Sequence, residues 1–278
     1  MDIRQIILVP ILVPLAGAFV ILLLRSHRRF QAGTALLVML LSLLSSFWLL
    51  FHIWKSGQAV VYQLGGWPAP VGISLVADPL SAFMVFMTQL VLVTGIVYAM
   101  GAKDKNIQYP TFYTLFLCLG VGLTGAFLSG DLFNLFVFAE LLVISGTILT
   151  AISDDRFGAE AAFKYFYISL LASTFMLLAI GCLYISYGSL NMADIAMRIL
   201  MNPDQPLLMV AAAFMTATFM VKSAVFPFHF WQPDFHAAAP TPVSAMLSSV
   251  VVKLGIYGFI RMTTLLFVQQ SQELQLLL

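Results

Sequence analysis

The chain has 278 residues and a formal net charge of +1, with 61% hydrophobic and 9% charged residues, against about 45–50% and 25% in soluble domains. Those proportions exclude an ordinary soluble enzyme and a disordered chain, and thirteen Lys and Arg balanced by twelve Asp and Glu exclude a nucleic-acid binder that works through a basic surface. The apolar runs are continuous rather than alternating, which excludes a transmembrane barrel and leaves an all-α polytopic membrane protein.

In chain order, apolar runs of about 20 residues predict about eight spanning helices, at 6–24, 32–54, 80–100, 111–129, 132–152, 161–186, 207–229 and 242–265. The first run is preceded by Asp2 and Arg4 and followed by no small-x-small site, which argues against a signal peptide. Segment 56–77 contains GGWPAP and GISLVAD. It is too broken to span and predicts an extended loop or short hairpin at the surface. Residues 190–204 predict a short amphipathic helix lying in the interface. The tail at 266–278 is too short for a domain. Arg25, Arg28, Arg29, Lys103, Lys105 and Arg156 fall in loops on one side, and Arg4, Lys55, Arg198 and Arg261 on the other. The positive-inside rule then places the N-terminus outside. Cys118 and Cys182 lie far apart within apolar runs and read as packing residues. No phosphate-binding loop, dinucleotide fingerprint or haem-ligand or quinone signature is present in the sequence, so no cofactor or metal is expected on this chain.

Three charges fall well inside predicted spans, away from their ends, where each costs roughly 2.5–3.5 kcal/mol near a helix centre and marks an ion or proton path. Glu140, in the fifth span, reads either as a protonated carboxyl holding one hydrogen bond or as a titratable group whose proton affinity follows a nearby cation. Lys222, in the seventh, reads as a proton carrier, because burial strips charge from an amine, or as a side chain snorkelling to the interface. Pro227 removes a helical donor from the Ser223 carbonyl and predicts a break one turn past Lys222. Broken helices at membrane depth line cavities. Lys253 lies about eleven residues from either end of the eighth span, too deep to snorkel easily. Lys164, near one end of the sixth span, reads as a path residue or an interfacial anchor. His229 and His236 bracket FWQPDF. They suit proton relay or polar caps on a loop, and with Asp234 alone they make a poor metal site. Counting at about 1.5 Å per residue separates Glu140 and Lys222 by about 10 Å in depth, which permits a pair without requiring one.

The stretches GDLFNLFVFAELL at 130–142, EAAFKYFYISLLAS at 160–173 and FPFHFWQPDFHAAAPTPVSAMLSSVVVKLGIYGFIR at 226–261 resemble the antiporter-like membrane subunits. These occur in respiratory complex I, membrane-bound hydrogenases and Mrp-type multisubunit Na+/H+ antiporters. LGGWPAPVGISLVADPLSAFM at 64–84 most resembles the D-type component of the Mrp antiporters. The resemblance implies three N-terminal helices over 1–110 and a five-helix proton-path unit over 111–265 with a broken seventh helix. Glu140 and Lys222 would form a coupled pair, Lys253 would continue the path, Lys164 is a recurring polar position, and His229 falls in the loop after the break. Members carry a second, inverted five-helix unit, expected here from a continuation of the chain or from another polypeptide. The implied function is a subunit of a monovalent cation (Na+)/H+ antiporter in a bacterial-type cytoplasmic membrane, packed among other hydrophobic subunits, with no nucleic acid. The alternatives are a proton-pumping subunit of a complex I-like oxidoreductase or hydrogenase, with the redox chemistry elsewhere, and an inactive scaffold.

Overall fold

The computed structural model describes residues 3–23, 28–102, 104–268 and 270. Arg25, Lys103 and the tail at 271–278 lie outside the described residues, as do the side chains of Arg28 and Arg29. The chain runs α1 (Ile3–Ile6), α2 (Val9–Leu23), α3 (Arg28–Ser56), β1 (Val60–Gln63), β2 (Ser74–Ala77), α4 (Pro79–Gly101), α5 (Phe112–Leu128), α6 (Leu132–Ala151) and α7 (Arg156–Tyr187). It continues through α8 (Met192–Met201), α9 (Leu208–Lys222), α10 (Trp231–Ala238), α11 (Thr241–Met246) and α12 (Val252–Arg261). A π-helical turn, Leu247–Val251, joins α11 to α12, so that Thr241–Leu266 forms one rod. Six helices are long and apolar enough to cross a membrane, and α5 and α9 are shorter apolar helices. Together they account for the eight expected spans. The expected hairpin is β1–β2, an antiparallel pair with Val60 opposite Ala77. The short amphipathic helix expected within 190–204 is α8, which buries Met192, Ile195 and Ile199 and pairs Asp194 with Arg198 at 3.0 Å.

The starts of these helices follow local chemistry. The first N–H groups of a helix lack intrahelical partners, and a short acceptor side chain supplies one. Asp78 opens α4 with a reciprocal box: its carboxylate accepts from Ser81 N and the Ser81 hydroxyl accepts from Asp78 N, both at 2.8 Å, with Pro79 in the first turn. Asp131 caps α6 through Asn134 N at 2.9 Å. Asp155 caps α7 through Gly158 N at 2.5 Å, so this helix begins at Arg156 rather than at the expected 161. Arg156 is therefore helical, and Lys164 sits farther from the helix start than counting placed it.

One end of the bundle is tied by backbone hydrogen bonds around the hairpin. Gly130 N donates to Ser74 O, Leu132 N to Leu190 O and Met192 N to Gly130 O, each at 2.9 Å. The Asn191 amide donates to the Ser74 hydroxyl at 3.1 Å. These bonds satisfy groups that helix ends and turns leave open. They hold the hairpin, the α5–α6 turn and the α7–α8 turn together. Deeper, α5 and α6 approach closely because Gly122 has no side chain. A Cβ there would lie 2.8 Å from Leu142 N and 2.9 Å from Phe138 O. Small residues at such contacts let membrane helices pack backbone to backbone.

The rod's far end is held to the same region. Arg261 pairs with Asp78 at 2.5 Å and donates to the Tyr257 hydroxyl at 2.9 Å. That hydroxyl donates to Phe127 O at 2.8 Å. Arg261, read from the sequence only as a charge for orientation, thus links α12 to α4 and α5. Burial pushes the Asp78 carboxyl up, but Arg261 and the Ser81 N–H outweigh it and hold the group below its ordinary value. A depressed carboxylate contributes stability above its unfolded value, near 4, and that contribution is lost as pH falls through the folded value. Asp78→Asn keeps a capping oxygen and removes the charge. It should destabilise the protein by about 1–2 kcal/mol at pH 7, read as a lower unfolding midpoint in detergent. The deficit should begin to shrink as pH falls below about 4 and vanish below the depressed folded value; a deficit unchanged across that range would show that the charge is not responsible.

Candidate functional site

The site begins where α9 stops. Ala224 adopts a left-handed φ of 52°. Val225 N donates back to Met220 O at 3.2 Å and Ala224 N to Val221 O at 3.1 Å. This is the six-to-one and five-to-two pattern of a Schellman stop, usually built on glycine. Residues 223–230 are not helical, and the chain resumes as α10 at Trp231. This corrects the expected helix over 207–229 with a break one turn past Lys222: the helix ends at Lys222 itself. Pro227 disfavours a helical conformation at the residue before it, and the stop is completed just upstream of that residue. Since alanine is a strong helix former, the sequence carried no sign of a stop at 224.

Lys222 is met from two sides. On the rod, Gly255 lies against the stop: a Cβ there would be 2.6 Å from Ser223 N and 2.9 Å from Lys222 C. From α7, Ser173 Oγ accepts a hydrogen bond from Lys222 Nζ at 3.3 Å. The same hydroxyl donates to Glu140 Oε1 on α6. Three helices thus contribute one polar run, Glu140–Ser173–Lys222. Thr218 fixes α9 against α7 beside it, donating to Ala172 O at 3.1 Å. Among the described residues Glu140 and Lys222 form no direct ion pair; a serine from a third helix occupies the offset that residue counting predicted. Ser173 carried no sequence signal, because a membrane-helix serine ordinarily bonds to its own preceding turn. Behind Lys222 is a cavity of about 20 Å³ bordered by Tyr165, Ser169, Trp231 and Gly255.

The other expected path residues lie around this run. Lys164 pairs with Glu160 at 2.8 Å and with Asp234 of α10 at 2.7 Å, with its side chain 43% exposed. It pins α10 to α7, helped by the Tyr165 ring, which packs tilted against Trp231 (5.2 Å) and Phe235 (4.4 Å). His236 lies inside α10 rather than on a loop, with Nδ1 3.0 Å from the Ser244 hydroxyl and Nε2 3.4 Å from the Gln232 amide. His229, in the break, is exposed, packs its ring 5.6 Å from Phe226 and joins none of these groups. Lys253 is exposed on the outer side of the rod and donates to Ser248 O of the π-helical turn at 2.5 Å. Its charge acts on His236, but it does not reach Lys222 directly. Among the described residues no group of three or more His, Cys, Asp or Glu could hold a metal ion.

A bundle of apolar helices long enough to cross a membrane, with a carboxylate, a hydroxyl and an amine joined by hydrogen bonds at a broken helix, defines a polytopic membrane protein. Residues 129–278 match the transmembrane family of NADH:quinone oxidoreductase and Mrp antiporter, and the chain belongs to that family. It is 33% identical to the D component of the Na(+)/H(+) antiporter of Alkalihalophilus pseudofirmus, over 95% of this chain and 53% of that protein. It is 35% identical to the D component of the probable K(+)/H(+) antiporter of Rhizobium meliloti, over 95% and 50%. The solved Mrp complex from Dietzia sp. contains a chain that superposes with a TM-score of 0.91 at 28% identity, covering 99% of this chain and 51% of that one. The chain spans about half the length of the curated relatives it matches.

If Gly255 seats the rod on the helix stop, Gly255→Ala should force the two apart and destabilise the protein by about 1–3 kcal/mol. Gly181→Ala, where a Cβ meets nothing within 4 Å, should change stability by no more than about 1 kcal/mol. Thermal unfolding in detergent compares the two, and equal effects would refute the close-approach role.

Proposed function

We propose that the chain is a subunit of a monovalent cation/proton antiporter complex and supplies half of a proton path. The observation that carries this reading is the hydrogen-bonded run Glu140–Ser173–Lys222 at the end of a broken helix. A carboxylate near a lysine favours the charged amine, and burial opposes it. Lys222 therefore holds a proton while Glu140 is ionised and near, and releases it when that charge is neutralised or moves away. Ser173 suits the link, because a hydroxyl accepts from one neighbour while donating to another. Pro227 and the Ala224 stop keep the helix open at this point. Lys164, through Asp234, holds the piece beyond the break. His229 precedes that piece and His236 lies within it, and His236 leads towards Lys253, which passes the proton out of this unit.

In this reading the five helices from 111 to 265 form the translocating unit, and 1–110 packs beside it. The N-terminus and hairpin lie outside, in accord with the distribution of basic residues. The protein sits in a bacterial-type cytoplasmic membrane among other hydrophobic subunits. Sodium is the proposed counter-ion, supported by the relative named for Na(+)/H(+) exchange, with potassium as the competing ion. Energy comes from an existing ion gradient. A purified complex showing flavin or iron–sulfur absorbance would assign the chain instead to a redox-driven pump.

Lys222→Ala should abolish cation-dependent proton movement in everted membrane vesicles while the complex still assembles; undiminished exchange would defeat the proposal. Ser173→Ala should slow exchange about 10- to 100-fold, the scale of one hydrogen bond to a charged group, and Ser173→Thr should restore it. Equal rates for wild type and Ser173→Ala would remove the serine from the path.

A further inference from the structure

Trp231 is 4% exposed, and its indole Nε1–H meets no acceptor among the described residues. An unpaired buried donor costs about 1–3 kcal/mol, and buried polar groups overwhelmingly find a partner in protein or water. The same indole borders the cavity of about 20 Å³ that Lys222, Tyr165 and Ser169 also line. A water needs roughly 10–15 Å³ of such space and two to four polar neighbours. The cavity meets the volume requirement, and four of its lining residues, Trp231, Lys222, Tyr165 and Ser169, carry a polar group that can meet the chemical one.

We infer that Trp231 is a positioning residue for Lys222: its indole N–H holds one ordered water in this cavity against the lysine. The inference rests on the proposed role of Lys222 as proton carrier. An indole only donates, so it occupies one lone pair of the water. The other lone pair accepts from the Lys222 ammonium, and the water's hydrogens turn towards the Tyr165 and Ser169 hydroxyls. When Lys222 is neutral, the water turns a hydrogen towards the amine instead. The charged lysine thereby gains an acceptor that the apolar lining, Leu142, Val143, Val251 and Leu254, cannot provide. The indole is well fixed, with ring centroids 5.2 Å from Tyr165 and 6.1 Å from Phe235. It also belongs to α10, the piece beyond the break, so the water ties the proton affinity of Lys222 to the placement of α10.

The other groups facing Lys222 leave this role open to Trp231. Helix α6 presents Glu140, already engaged with Ser173. Helix α7 presents Ser173 and Tyr165. Helix α12 presents Gly255 and Leu254, with the Lys253 amine turned outward. On α10, Asp234 is paired with Lys164 and His236 lies against Ser244.

The test compares wild type, Trp231→Phe and Lys222→Ala in the assembled complex. Exchange is measured in vesicles across pH 6 to 10 on the scale of about one pH unit per tenfold in proton affinity. The phenyl ring keeps the packing and removes the donor. The expected result is an alkaline limb displaced to lower pH by about half a unit, a roughly threefold loss of proton affinity, with maximal rate retained. Restoration by Trp231→His, which again offers a ring N–H, would support the inference. An unchanged profile in Trp231→Phe, with Lys222→Ala inactive, would overturn the inference and leave the proposed function standing. An active Lys222→Ala would instead overturn the function. High-resolution electron cryomicroscopy of the wild-type complex gives a second readout independent of transport. Density for a water within hydrogen-bond distance of Trp231 Nε1 and Lys222 Nζ supports the inference, and a cavity without it overturns it.

Discussion

A charged side chain inside hydrocarbon must find its partners within the protein, and Lys222 is where that constraint shapes this chain. Its amine is reached by a hydroxyl from α7, which is itself bound to a carboxylate on α6. To bring those three helices to one point, α9 has to stop at the lysine and α12 has to approach without a side chain at residue 255. The broken helix, the bare glycine and the small residues between helices are therefore parts of one solution. Each removes bulk or helical continuity where a polar group needs room.

The two ends of the bundle differ accordingly. At the hairpin end, backbone hydrogen bonds and the Asp78–Arg261–Tyr257 contacts leave little freedom between α4, α5 and the rod. At the other end, the piece beyond the break is attached by side chains: an ion pair at Lys164, aromatic contacts around Tyr165, and the His236–Ser244 contact. Side-chain attachments of this kind have discrete alternatives, whereas a satisfied backbone lattice resists partial opening. The proposed path leads from Glu140 and Lys222 into the region held by titratable groups, where a change of proton affinity can be coupled to a change of contacts.

Much of this was legible in the residues. The spans showed themselves as apolar runs of about 20 residues, which is a property of the segment alone. Segment 56–77 declared itself non-spanning through its glycines and prolines. Glu140, Lys222 and Lys253 stood out because charges in apolar runs are expensive. Less visible were groups whose chemistry is ordinary until a neighbour arrives. Ser173 looks like any membrane-helix serine, Asp234 like a loop acid, Trp231 like packing and Ala224 like a helix former. Counting also set Glu140 and Lys222 too far apart for comfort, because it cannot show that a third helix fills the offset.

By itself, the sequence determined the class of protein, the number and approximate limits of the spans, the hairpin, the short helix after the sixth span and the identity of the charges that fall in apolar runs. These follow from properties local to a segment: hydrophobic length, turn chemistry and the cost of a charge in lipid. The tertiary structure decided which of those charges meet. It joined Glu140 to Lys222 through Ser173, gave Lys164 to Asp234 and Arg261 to Asp78, turned Lys253 outward, and set the stop of α9 at an alanine. Such pairings depend on helix rotation and on approaches of a few ångströms between segments far apart in the chain, and no periodicity within one segment encodes them.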